Sequence, residues 1–373
     1  MKFFNHYTIP ALLAVVLMTG CDEERTDPLH PMDPQPPVKE DPSQTENPNE
    51  TTPLWITDAL TESMWYSTGT LRTTSAVMQS FDINFSTNKI YYSQLNNKYR
   101  LYISWSGKNS TKHEGCMTLN YFGHGSNFTL EDTGSGYIWI GNYASKNTSA
   151  EYWGDQVVSR VPIKDGATVN PWDCTDNYYF DETNLSVAVD FENDRLTILG
   201  ITTGRIRTYK LSELRALPIE SVTLCPLTYG GDKAPDAETT VTHTIQARDC
   251  RKATPIGDFS IQRWNGVSWQ GFDVCGDLIY QMQGNGNNND SAAASTAWLL
   301  VYKLDGTIVL DRTPIKAIED LTKLKQWGIT DTGYMEAEGV KVRGDNLYIG
   351  FASKGSNDER RGTIFKYSLS GLK

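Results

Sequence analysis

The sequence predicts an all-β fold: a five-bladed β-propeller preceded by a lipoprotein signal peptide and a disordered tether. Three observations predict it. From Thr52 onward, aromatic and β-branched residues are frequent and Gly/Asn/Asp clusters recur, the texture of short strands joined by turns. Helical periodicity is confined to two short stretches, Leu211 to Ala216 and Lys316 to Trp327. A strand–turn–strand unit returns five times along the chain.

The N-terminal segment reads first as a targeting signal. Lys2 forms a short positive start, and Ile9 to Gly20 is an apolar run of twelve residues. That is short of the ~20 residues needed to span a bilayer, but it suits the apolar region of a signal peptide. Met18-Thr19-Gly20-Cys21 resembles a bacterial lipobox, so cleavage is expected before Cys21, with residues 1–20 removed and Cys21 lipidated. Residues 21–53 are rich in Pro, acids and small polar residues, with almost nothing to bury, and predict an extended, disordered tether. Asp22-Glu23-Glu24 resembles the acidic export signal of surface lipoproteins in some Gram-negative lineages, while Asp at this place means inner-membrane retention in others. The expected location is a membrane-anchored lipoprotein, at the outer membrane and cell surface or in the periplasm.

Charge narrows the partners. Residues 22–53 hold nine acids and two bases, so the tether carries most of the net charge of −11. The remaining domain, residues 54–373, has no basic excess to attract nucleic acid. The membrane is expected to be met through the lipid alone. Beyond Cys21 the cysteines are Cys116, Cys174, Cys225, Cys250 and Cys275, an odd set that allows at most two disulfides of undetermined pairing. No C-x-x-C pair points to a zinc ribbon, and no G-x-S-x-G, H-E-x-x-H or P-loop occurs, so no metal, cofactor or catalytic residue is assigned.

The repeat is clearest in "QSFDINFSTNKIYY" from Gln79, "QGFDVCGDLIYQ" from Gln270 and "EGVKVRGDNLYIG" from Glu338. Weaker copies are "LEDTGSGYIWIG" from Leu130 and "VAVDFENDRLTILG" from Val187. Further strands follow each unit, such as "YRLYISW" and "GTIFKYSL". Five such units fit five small antiparallel sheets around an axis.

Four segments, "MQSFDINFSTNKIYYSQ", "MTLNYFGHGSNFTLEDTGSGYIWIG", "WQGFDVCGDLIYQMQG" and "MEAEGVKVRGDNLYIGFAS", resemble the helveticin J and teichoic-acid-biosynthesis-protein-C-like propeller family, over residues 60–370. That family includes platform domains of receptor-binding proteins on phage tails. The F-G-H-G and E-x-E-G boxes carry the resemblance most specifically, and Asn127-Phe128-Thr129-Leu130 departs from the Gly-rich continuation expected after F-G-H-G. The resemblance implies a five-bladed propeller and, by analogy with the phage members, binding to a cell-surface glycopolymer. It transfers no enzyme activity.

The innermost strand of a blade lines the axis, so the repeat puts Gln79, Gln270 and Glu338 at equivalent places at the channel mouth. Strand alternation gives Glu336 the face of Glu338, and Glu131 is a weakly aligned counterpart in the second blade. His124, between two glycines, is a further candidate contact or a turn residue. Gln and Glu offer fixed donors and acceptors that suit sugar hydroxyls. Polar channel residues also serve merely to hold water and one another. Residues 284–295, "GNGNNNDSAAAS", read as a mobile loop rather than a calcium loop. Trp105, Trp153, Trp172, Trp264 and Trp269 lie in or beside polar segments and are candidate stacking platforms or inter-blade packing. The expected function is binding of a polysaccharide or cell-surface glycan. The alternatives are a glycoside hydrolase or lyase using channel acids such as Glu338, Asp82 and Asp273, and a helveticin-like antibacterial factor.

Overall fold

The computed structural model describes residues 64–67, 71–96, 99–108, 110, 112–131, 136–146, 152–153, 155–229, 239–263, 267–286 and 295–369. All fall in one unit, Asn47–Lys373. The signal peptide, the lipidation at Cys21, the tether and the domain start at residue 54 lie outside the described residues, as do Trp264, the Trp153 side chain and most of residues 284–295. Among the described residues no helix is long and apolar enough to cross a membrane.

Five sheets form the blades, antiparallel except for one parallel strand pair in each of two of them. Their innermost strands are Ser80–Asn84, Phe128–Glu131, Leu185–Asp190, Ser268–Cys275 and Met335–Arg343, which define blades 1 to 5. Each pairs with the next strand through a hairpin whose turn contains, among the described residues, one residue with left-handed φ: Asn88 (53°), Gly136 (66°), Asp194 (58°), Gly276 (58°) and Gly344 (57°). Only Gly, Asn and Asp reach this region at low cost, which is why the five copies share turn chemistry while their strands differ. Blade 5 is completed by the N-terminal strand Met64–Ser67, which pairs with Arg360–Ser368 and so joins the two ends of the domain.

The blades are unequal. Between the third strand of blade 3, Arg205–Lys210, and its outer strand, Gly257–Ser260, the chain makes a helix, Leu211–Ala216. It then returns to blade 2, where Ile219–Thr223 and Thr244–Asp249 widen that sheet to six strands. The second predicted helix is interrupted. A short 3₁₀ turn, Lys316–Ile318, precedes a helix at Leu321–Gln326, because the Asp320 carboxylate accepts the Lys323 N–H (3.0 Å) and caps a new start.

A hydrophobic cluster fills each seam between successive blades. Phe81, Ile83, Tyr348 and Ile364 join blades 5 and 1, and Leu101, Met117, Phe128 and Ile140 join 1 and 2. Trp139, Tyr178, Val187 and Tyr209 join 2 and 3; Ile206, Phe272 and Tyr302 join 3 and 4; Met282, Leu299, Val340 and Phe351 join 4 and 5. None of the disulfides that the count allows is formed: Cys116, Cys174, Cys225, Cys250 and Cys275 are all free thiols. The seams, not cross-links, hold the sheets.

Near the axis the seams become backbone contacts. A Cβ placed on Gly271 of blade 4 would lie 2.5 Å from the Gly339 Cα of blade 5. The Gly271→Ala variant is therefore expected to lose about 1–3 kcal/mol of stability through overpacking, read as a lower urea midpoint. An unchanged midpoint would show that the two strands separate freely.

Candidate functional site

The repeated Gln/Glu–small–apolar motif is a β-bulge. In blade 4 the register shifts between Trp269 and Phe272, and in blade 5 between Ala337 and Gly339. In blade 1, Ser80 pairs with Ser93 while the Gln79 N–H also donates to Ser93 O (2.9 Å), so again two residues oppose one. A bulge changes the phase of the strand and re-aims its side chains. In blade 5, Met335 and Ala337 face the core before it and Val340 and Val342 after it. Simple alternation therefore fails through the motif.

Gln79, Gln270 and Glu338 occupy these equivalent bulges at one end of the channel, called the upper end. Glu336 lies two residues before Glu338, and His124 lies in the loop entering blade 2 at the same end. All five are nearly closed off from solvent, between 1% and 7% exposed. The Gln270 amide donates to Gly284 O (3.2 Å), and the Tyr334 hydroxyl donates to a Glu336 carboxylate oxygen. Burial pushes the Glu338 carboxyl well above the usual carboxylate range; the neighbouring Glu336 adds to this, and Arg360 opposes it. Glu338 is thus a buried carboxylic acid beside a second carboxyl group. His124 is flanked by glycines of left-handed φ (65° and 73°), and the Ser93 hydroxyl donates to Gly125 O (2.7 Å). Burial pushes the imidazole down to about 3, so it is neutral at ordinary pH.

Three polar atoms at this end are buried without a hydrogen-bond partner among the described residues: Glu338 Oε1, Arg360 Nη1 and Ser80 Oγ. Glu338 and Arg360 feel each other's charge, and a Cβ on Gly339 would lie 3.7 Å from Phe81 N, beside Ser80. Buried donors and acceptors left open in this way call for water or a ligand group.

Below the bulges, one register position per blade forms a second layer, polar in four blades, Asp82, Thr129, Asp273 and Lys341, and apolar at Ala188 in blade 3. Three of these side chains accept a backbone N–H from the next blade, Asp82 from Leu130 (2.8 Å), Thr129 from Val189 (3.2 Å) and Asp273 from Val342 (2.8 Å). Asn127 reaches across the axis and donates to Val187 O (2.7 Å) and Phe272 O (2.9 Å). The fully buried Lys341 ammonium donates to Phe128 O (2.6 Å) and Asn127 Oδ1 (3.2 Å). Beneath it, Arg343 bonds both oxygens of Asp82 (2.6 Å each) and one of Asp273 (2.9 Å). The channel is plugged at this level, and its acids are engaged in holding blades together.

Little of this layer is apparent from sequence. Asp82 and Asp273 stand out there only as possible catalytic acids, Asn127 only as the start of the stretch that departs after F-G-H-G, and Lys341 and Arg343 not at all. The usable signal is the fourth column of the repeat, the centre of "FDI", "FDV" and "VKV", where charged residues sit between apolar ones. Glu131 is not the counterpart of Glu338. It stands at the opposite strand end, where it accepts from Arg160 Nε (2.5 Å) and Trp139 Nε1 (3.1 Å). Of the tryptophans, Trp105 is buried against Tyr91 (5.4 Å), while Trp172 is 54% exposed.

No family model matches the chain, and no curated protein matches it. Among solved structures, the tail fiber of Staphylococcus aureus phage P68 superposes with a TM-score of 0.54 at 16% identity over 83% of this chain. The chain spans about half of that protein's length, 53%. A second structure, a BT0996 RGII complex, aligns over 82% of this chain and 91% of its own length, with a TM-score of 0.38 and 8% identity. The phage protein supports the propeller fold.

Arg343→Met leaves Asp82 and Asp273 buried without their cation and is expected to cost about 3–5 kcal/mol, measured by denaturant unfolding. Glu338 has a folded pKa above its unfolded value of 4.5, so its contribution is complete below that value and is lost as pH rises. Glu338→Gln should therefore gain stability relative to wild type above pH 4.5, by about 1.4 kcal/mol per pH unit until the folded pKa is reached. A pH-independent difference between the two proteins would refute the assignment.

Proposed function

We propose that the chain is a lipid-anchored protein, tethered through Cys21 at the outer membrane and cell surface or in the periplasm, that binds a carbohydrate or cell-envelope glycopolymer through the upper end of its propeller. The observation that carries this reading is the convergence of buried, unpartnered polar atoms, Glu338 Oε1, Arg360 Nη1 and Ser80 Oγ, where Gln79, Gln270, Glu336 and His124 also stand. A protonated Glu338 offers both a donor and an acceptor, as sugar hydroxyls require. The small exposure of these groups suits a chain end better than the middle of a polymer. The resemblance to helveticin-like and phage receptor-binding propellers supports a surface glycan as partner, and the expected anchor favours a displayed binder over a diffusing antibacterial factor.

One observation favours a second reading. Glu338 and Glu336 form an interacting pair of carboxyl groups, with Glu338 held as an acid. Such a pair is the raw material of glycosidase chemistry. Both belong to one strand and are almost closed to solvent, which leaves little room for a sugar between them.

One experiment separates these readings. The full chain is incubated with a panel of bacterial and dietary polysaccharides, and both retention and the release of reducing ends or unsaturated products are read. The expected result is retention on one polymer without products, weakened about tenfold or more by Gln270→Ala or Glu338→Ala. Product release abolished by Glu338→Gln would make the protein an enzyme. Retention indifferent to both alanine variants would remove the upper end from recognition.

A further inference from the structure

The opposite end of the channel, at the hairpin turns, opens into a cleft of about 530 Å³. This lies within the ~300–1,000 Å³ range of small-molecule sites. Its floor is formed by Leu130, Val189, Val274 and Val342 together with the Arg343 side chain. Phe85, 43% exposed, stands at the wall with its ring 5.7 Å from that of Tyr348. An exposed ring beside polar groups is a surface on which the apolar face of a sugar ring can lie.

The charges of the cleft are unbalanced. Arg343 is the sole cation among its described lining residues, and it is already matched by the two carboxylates of Asp82 and Asp273. Asp190 and Glu192 line the same space. The Asp190 carboxylate is fixed there by the N–H groups of Glu192 (3.1 Å), Asn193 (3.1 Å) and Gly276 (2.7 Å), and Glu192 is exposed. None of these partners is a cation. A concave site with low-dielectric walls focuses such a field, so it attracts positive charge and repels anions.

We propose that this lower cleft is a second binding site, separate from the upper end, and that it takes an amine-bearing saccharide, with the sugar ring on Phe85 and its ammonium group toward Glu192 and Asp190. The plug of Asn127, Lys341 and Arg343 stands between the two ends, so occupation of one does not require the other.

The test uses the full chain and three hexasaccharides, of glucosamine, of N-acetylglucosamine and of galacturonate, with binding followed by calorimetry and by ligand-observed NMR. The glucosamine oligomer is expected to bind. Phe85→Ala should weaken it about tenfold, and Glu192→Gln about threefold to fivefold, as the loss of one exposed charge pair implies. Acetylation of the amine should weaken binding to a similar degree, and the galacturonate oligomer should not bind. Phe85 and Glu192 are exposed, so both variants are expected to fold as wild type does. Equal binding of the acetylated or the acidic oligomer would overturn the ligand class. Glucosamine binding untouched by both substitutions would overturn the site. Failure of all three sugars while a lysine-rich peptide binds in a Phe85-dependent way would make the cleft a peptide site and overturn the proposal.

Discussion

The Arg343 guanidinium joins the carboxylates of Asp82 and Asp273, and with them the inner strands of blades 5, 1 and 4. Lys341, one turn of the pleat away, reaches blade 2 through Phe128 O. Asn127 extends the same network to blades 3 and 4. A propeller needs some such device. Its seams are apolar and non-directional, so burial alone favours packing of blade on blade without fixing how the inner strands meet around the axis. One buried and one partly buried cation and two buried carboxylates, each with directional bonds, fix that meeting. Burying them is costly, and their net effect on stability is smaller than their number suggests. Their contribution is to the register of five strands that have different sequences.

The same requirement accounts for the bulges. Where the strands approach the axis, side chains of ordinary size do not fit, and Gly271 and Gly339 meet backbone to backbone. An extra residue just before each small one turns the strand toward the mouth and carries Gln79, Gln270 and Glu338 with it. The motif that looks like a ligand signature in the sequence is therefore first a solution to crowding. That does not empty it of function. It explains why the same residue types recur in three blades while blade 2 has Ser126-Asn127 and blade 3 has Leu185-Ser186 at the corresponding places.

The fold was legible because its signals are local and repeated. Turn residues with left-handed φ, from Asn88 to Gly344, mark every first hairpin, and period-2 strands follow them. What escaped the sequence was non-local. Lys341 and Asn127 are 214 positions apart, and Arg343 and Asp82 are 261 apart. No spacing rule relates such residues until the ring is closed. The widening of blade 2 by strands from an insertion in blade 3 is of the same kind, since nothing in "IESVT" says which sheet it will join. The change of phase after Glu338 has a different origin: alternation is a sound rule for a regular strand and holds for Glu336 and Glu338, but the bulge adds one residue without a distinctive composition before Val340 and Val342 return to the core.

The plug also limits which functions the channel can perform. A through-channel has one continuous lining, and an acid at one end can act on a ligand entering from the other. Here Asp82 and Asp273 are sequestered under Arg343, with no side-chain exposure, while Glu336 and Glu338 lie above the layer of Asn127 and Lys341. Catalysis by a pair of carboxyl groups drawn from different blades would need the plug to open, which would expose two charged pairs and release three blades from one another. The upper carboxyl groups and the lower cleft are consequently separate chemical environments. The upper is nearly closed to solvent and holds a Glu338 carboxyl raised well above the usual range; the lower is open, aromatic and lined by acids.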